Sequence, residues 1–138
     1  MYLIDTNVIS EQRKQHLANP GVRAFFADVQ QQASRAYISV ITIGEIRRGI
    51  DVCAWRGDKQ QSAQLERWLD HLLRHFSHHI LAFDTHCAQV WGRMRVPNPD
   101  CALDKQIAAT ALVYDLTVVT RNTRDFAGTG ARVLNPFS

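Results

Sequence analysis

Three acidic residues stand inside apolar runs, where a soluble chain gains nothing by placing them. Asp5 follows Tyr2-Leu3-Ile4, Glu45 follows the run from Ile38 to Gly44, and Asp104 precedes the run from Ile107 to Leu112. A carboxylate withdrawn from water costs several kcal/mol unless a cation or hydrogen-bond donors offset it. Three of them converging on one place therefore imply a bound metal or a shared proton. Divalent-metal catalysis is the chemistry such a set suits. Mg²⁺, or Mn²⁺ in its place, takes hard oxygen ligands, keeps several waters and is typically held by a few carboxylates plus substrate phosphate. Such a metal makes hydroxide from a bound water for in-line attack on phosphorus and offsets charge on the phosphate oxygens. Taken singly, each acid reads more simply as a helix cap or a tolerated polar residue; the set points to a site.

The elements that must position these acids follow from periodicity and punctuation. Tyr2 to Ile4 reads as a short buried strand, with Thr6 and Asn7 capping a helix that runs toward Lys14. Pro20 suits the first turn of a second helix through Val22, Phe25, Phe26 and Val29. Ala36 to Ile41 has the look of a strand covered on both faces, and Thr42 with Glu45 forms a capping box for the next helix. A long helix is expected from Asp58 to His75, a strand from Ile80 to Phe83, and a helix capped by Asp84-Thr85 that carries Cys87, Val90, Trp91 and Met94. A further helix spans Ala102 to Asp115, and Leu116 to Val119 and Ala131 to Leu134 are the last two strands. Strands alternating with helices give an α/β fold: a central parallel sheet of about five strands, flanked by helices on both sides. In open parallel sheets ligands bind beyond the carboxyl ends of the strands. That edge receives Asp5, Thr42 with Glu45, and Thr120-Arg121-Asn122. Asp104 shares a helix face with Ala108 and Ala111, so it turns toward the same sheet.

Composition bounds the remainder. A chain of 138 residues, 46% hydrophobic and 21% charged, fits one domain over residues 1–138 with a real core. Sixteen basic against thirteen acidic residues leave +3, and with the acids gathered at one site the rest of the surface is more basic than that total, which favours a polyanionic partner. Cys53, Cys87 and Cys101 have no metal-finger spacing and read as idle thiols in a reducing cytosol. No leader pattern and no stretch long enough to span a bilayer is seen, so a cytoplasmic protein without membrane contact is expected.

These blocks, in order, carry a resemblance. Ile4-Asp5-Thr6-Asn7, then Ile38 to Ile46 with Gly49, then Asp104 with Ile107-Ala108-Ala109-Thr110-Ala111, then Val119-Thr120-Arg121-Asn122 and Asp125-Phe126, resemble the PIN domains of VapC-type toxins across nearly the whole chain. The resemblance implies a Mg²⁺-dependent endoribonuclease, with transfer RNA among its candidate substrates. It also implies a toxin–antitoxin pair: a homodimer restrained by a VapB-type antitoxin and meeting operator DNA only through that complex. Residue by residue, it carries the acidic metal positions onto Asp5, Glu45 and Asp104, and the supporting hydroxyls onto Thr6 and Thr120. Asn122 stands where many PIN domains carry Asp, while Asp125 follows three residues later. The expectation is one metal, with Asn122 ligating or positioning water and Asp125 peripheral.

Arg121 and, less directly, Arg48 are the candidates for substrate phosphate. His71, His75, His78 and His79 recur at helical spacing, but beside Arg67 and Arg74 they read as a solvated face. Trp68 reads as core or dimer contact. Competing functions are weaker. A phosphoaspartyl phosphatase wants a second Asp two residues after the first, where Asn7 stands, and a receiver domain wants a Lys ending its last strand, where Asn135-Pro136 stands. A non-catalytic or DNA-directed PIN protein is the remaining alternative. The intact acidic trio argues against a dead site, and preference for RNA rests on the resemblance alone.

Overall fold

The computed structural model describes all 138 residues. Five short strands, β1 (Tyr2–Ile4), β2 (Ala36–Ser39), β3 (Ile80–Leu81), β4 (Thr117–Val119) and β5 (Arg132–Leu134), form one sheet in the order β3-β2-β1-β4-β5. Every pairing is parallel, with Leu3 opposite both Tyr37 and Val118. Six helices supply the crossovers such a sheet requires: α1 (Thr6–Gln12), α2 (Pro20–Gln31), α3 (Val40–Trp55), α4 (Lys59–His75), α5 (Thr85–Met94) and α6 (Ala102–Tyr114). The α/β class, the parallel sheet and its five strands match the sequence reading.

Side chains alternate across the central strands and so build a core on each face. Ile4, Ile38 and Val119 join Val8, Val22, Ile46, Leu69 and Phe76 on one side. Leu3 and Val118 join Ile107, Ala108, Ala111 and Phe126 on the other. Trp68 packs against the first of these cores. No helix is long and apolar enough to cross a membrane.

Element ends depart from the sequence reading in ways that matter for the site. The strand expected to run to Ile41 stops at Ser39, whose Oγ accepts from the Ile41 N–H at 3.0 Å and opens α3 at Val40. Thr42 and Glu45 are consequently no capping box. They lie inside the helix, and their side chains are free to serve the site. The first helix is capped by Asp5 itself, which accepts from the Thr6 N–H at 2.8 Å, not by Thr6 or Asn7. That helix ends at Gln12, short of Lys14.

Candidate active site

Strand order reverses at β1: the chain first builds outward through β2 and β3, then returns to place β4 on the other side. The crevice at such a reversal, beyond the carboxyl ends of the strands, is where open α/β sheets bind ligands. Asp5 leaves β1 there and Thr120 leaves β4 there, and the register that sets Ile4 opposite Val119 makes the two residues neighbours.

Asp5 is 2% exposed. One carboxylate oxygen, Oδ2, accepts from Thr120 Oγ1 at 2.7 Å and from Asn7 Nδ2 at 3.2 Å; the other is the cap on Thr6 N–H. Burial pushes its pKa above the ordinary carboxylate value, and these three donors pull against that rise. Asn7 also donates to Thr120 Oγ1 at 3.2 Å and accepts from the Arg121 N–H at 3.0 Å, so one amide ties the ends of β1 and β4 together.

Glu45 arrives from α3. Thr6 Oγ1 donates to its Oε1 at 2.9 Å and lies 3.3 Å from the fully buried Thr42 Oγ1. Burial again raises the carboxyl, with the charge on Asp5 adding to it. Asp104 sits in the first turn of α6, above the buried Ala108 and Ala111. It is pushed up to about 7, first by burial and then by the charges of Asp5, Asp125 and Glu45. A hydrogen bond between the Asp104 and Asp125 carboxyls, formed only while a proton sits between them, adds to the rise.

The structure therefore brings Asp5, Glu45 and Asp104 into mutual electrostatic contact, with Thr6 and Thr120 bonded to two of them. The fourth position differs from expectation. Asn122 is exposed, and only its backbone is engaged: the N–H donates to Thr120 Oγ1 at 3.0 Å and the carbonyl accepts from the Asp125 N–H at 3.0 Å. Asp125, expected at the periphery, lies against Asp104 instead. The cause is local: after Asn122 the chain turns into a 3-10 helix, Thr123–Phe126, whose buried Phe126 anchors it under α6 and carries Asp125 to that helix's N-terminus. Cys101 is there too, its sulfur within 4.8 Å of an oxygen of both Asp104 and Asp125.

Of the phosphate candidates, Arg121 is seated over the Phe137 ring at 4.7 Å, while Arg48 is exposed on α3, one turn after Glu45. Its neighbour Arg47 is committed to Glu66 at 2.6 Å and to Asp51 at 3.6 Å. His71 and His75 are exposed, their rings 6.2 Å apart, and no histidine joins a metal-sized cluster.

The donor set is chiefly carboxylate oxygen, which fits a hard divalent cation such as Mg²⁺ or Mn²⁺. The position of Asp104 is the structural sign of that fit: its carboxyl is half-buried and faces the charges of Asp5, Asp125 and Glu45, and both burial and repulsion disfavour its ionised form until a cation offsets them.

A PIN domain family model matches residues 2–131. The chain belongs to the PIN domain family. Toxin FitB of Neisseria gonorrhoeae is 33% identical over 99% of both chains, and VapC ribonuclease Y4jK of Sinorhizobium fredii is 30% identical over 99% of this chain and 98% of its own. The crystal structure of FitAcB from Neisseria gonorrhoeae superposes with a TM-score of 0.85 at 32% identity, covering 99% of this chain and 98% of that one. The likeness to VapC-type PIN domains read from the sequence is thereby borne out.

Asn7 and Cys101 are the site neighbours that sequence reasoning passed over. Asn7 was legible in principle, since an amide two residues after a buried acid is well placed to bond it. Cys101, just ahead of the helix the sequence places over Ala102 to Asp115, was not legible as a site neighbour until Asp125 was seen to pack beside it and Asp104.

Proposed function

We propose that this PIN-domain protein is a metal-dependent endoribonuclease, the toxin of a VapBC-type pair, acting in the cytoplasm. The observation that carries the reading is the meeting of Asp5, Glu45, Asp104 and Asp125 in one crevice, with Asp104 pushed up to about 7 first by burial and then by the charges of the other three. Asp5, Glu45 and Asp104 would hold a Mg²⁺ or Mn²⁺ ion, with Asp125 in the fourth position where Asn122 was expected. When bound, such an ion supplies charge neutralisation for a phosphodiester and acidification of water. The chain's own groups do the rest: Thr120, Asn7 and the Thr6 amide fix Asp5, Thr6 fixes Glu45, and Arg121, preset on Phe137, offers a forked cation to phosphate.

A protein partner is supported by a cleft between α1, α2 and α4. It encloses about 720 Å³ and is lined by Phe26, Trp68, Leu72 and Phe76 beside Arg13 and Arg35. Gln12, which also lines it, has a buried Oε1 with no hydrogen-bond donor. An amphipathic segment with an acidic side, the antitoxin in this reading, would fill the cleft and satisfy that oxygen. The exposed Leu103, Leu112 and Tyr114 along α6 support self-association as a homodimer.

The test is to incubate the purified chain with total RNA, with Mg²⁺ or with a chelator, and to sequence the new ends. Cleavage at discrete positions that stops on chelation and in Asp5→Asn is expected. Intact RNA under all conditions overturns the reading.

A further inference from the structure

Lys105 follows Asp104 in the first turn of α6 and is only 9% exposed. Its ammonium donates at 2.6 Å to the Asn98 carbonyl and forms no ion pair. This placement runs against three physical preferences at once. A buried cation ordinarily has a counter-ion, an ammonium has three donors to satisfy, and the N-terminal end of a helix repels positive charge. Cys101, the residue capping α6, offers no side-chain acceptor there and has left-handed backbone angles.

The side chain lines a cavity of about 260 Å³ that also meets Asn98, Cys101, Arg124, Asp125 and Gly128. Asp125 belongs to this cavity and to the acidic cluster alike, so the cavity opens beside the candidate active site. It is smaller than pockets that enclose whole ligands, which begin at about 300 Å³. A phosphate with part of its sugar is of the right scale. Asp100 and Asp125 border the same space, and neither neutralises Lys105 at ion-pair distance.

We propose that Lys105, with Arg124 across the cavity, binds the RNA phosphate next to the scissile one, so that the cavity is a substrate subsite. The proposal rests on the endoribonuclease reading. An anion in that position gives the buried ammonium its missing counter-ion, complements the uncapped helix end, and lies in a cavity that shares Asp125 with the acidic cluster. It also accounts for a Lys in a turn where Asp104 alone would serve both the helix and the metal.

The experiment measures binding without turnover. A labelled single-stranded RNA is titrated against the Asp5→Asn chain and against the same chain carrying Lys105→Gln or Lys105→Arg, at several salt concentrations. Lys105→Gln should weaken binding about tenfold at low salt and make the log–log salt slope shallower by about 0.7, the share of one phosphate contact on a single strand. Lys105→Arg should restore the slope. Affinity and slope unchanged in Lys105→Gln would overturn the proposal.

Because the bond to Asn98 also pins a loop, melting curves accompany the titration. If Lys105→Gln melts far below its parent, inorganic phosphate titrated into the Asp5→Asn chain decides. Shifts of the backbone amides of Leu103 to Lys105 support the subsite, and silence there overturns it. Failure of the nuclease reading shows separately, as uncut total RNA with the unsubstituted chain.

Discussion

Replacing Asp104 by Asn should make the metal-free protein more stable while abolishing metal-dependent cleavage. Asp104 is displaced from its ordinary 3.8 to about 7. At about 1.4 kcal/mol per pH unit, full desolvation would make its ionisation cost about 4 kcal/mol. The side chain is only half-buried, and solvent screening reduces this to roughly 2 kcal/mol. The sign follows from proton linkage: between pH 3.8 and 7 the folded chain holds a proton that the unfolded chain has released, so stability falls as pH rises through that window. Asn carries no charge to repel Asp5, Asp125 and Glu45, and its amide donates to Asp125 at any pH. The variant should therefore match the parent near pH 4 and exceed it by roughly 2 kcal/mol at pH 8. An unfolding entropy of about 2.1 cal/mol/K per residue gives roughly 0.3 kcal/mol/K for a chain of 138 residues, hence about 7 °C in Tm. Scanning calorimetry in chelator at pH 4, 6 and 8 measures this. Added Mg²⁺ should raise the parent by mass action and leave Asp104→Asn nearly unmoved. A variant that melts below its parent at pH 8, or a gain that is the same at every pH, would refute the repulsion on which the metal site is argued.

The fourth position separates by paired substitution: Asp125→Ala should lower the cleavage rate at least tenfold, whereas Asn122→Ala should leave it within about threefold, measured with one oligoribonucleotide at saturating Mg²⁺. Equal losses would return Asn122 to the site. Thr120→Val removes a donor bonded to buried Asp5 at 2.7 Å, and urea denaturation should show a cost of about 1.5 to 3 kcal/mol. No measurable loss would mean that Asp5 is held by its other donors alone. Gly21→Ala would set a Cβ 2.1 Å from the Pro136 carbonyl and 2.8 Å from Ser138 N, so it should dislodge the 136–138 segment, cost about 1 to 3 kcal/mol, and free Arg121 from Phe137. Retained wild-type stability, with unchanged chemical shifts for the Phe137 ring, would count against that packing.

What the sequence made legible were the elements with an unambiguous period or punctuation mark. β1 and β4 are buried on both faces and show as apolar runs, and Asp84 and Pro20 mark helix starts that the structure keeps. The start of α3 was illegible for a physical reason. Val40-Ile41-Thr42-Ile43 is β-branched throughout, and a helix that opens among packed neighbours presents the same apolar string as a strand. Only the bond from the Ile41 amide to Ser39 decides between them. The acids were legible because burial and charge conflict in the sequence itself. Lys105 was not, because one Lys beside an Asp in a helix reads as solvated until the loop before α6 is seen to fold over it.

With Asp125 beside Asp104 and a neutral Asn at 122, charge is unevenly distributed across the proposed site. Asp5 meets its burial with a hydroxyl, a side-chain amide and a backbone N–H, so its negative charge is already solvated by fixed dipoles. Asp104 has no such donors; its recorded neighbours in the cluster are carboxylates and the Cys101 sulfur. With Asp125 leaning on α6, the repulsion concentrates at Asp104 and leaves the β1 side of the crevice comparatively relaxed. A cation entering the site therefore gains most by drawing Asp104 into its ionised form, and its affinity should increase as pH rises through 7, where that carboxyl no longer has a proton to surrender. Moving the acid to residue 122, by combining Asn122→Asp with Asp125→Asn, should bring Asp104 toward its ordinary range and flatten this pH dependence. Isothermal titration of Mg²⁺ at pH 6 and 8 compares the two arrangements, and an equally steep dependence in both would show that the position of the fourth acid does not set the proton competition.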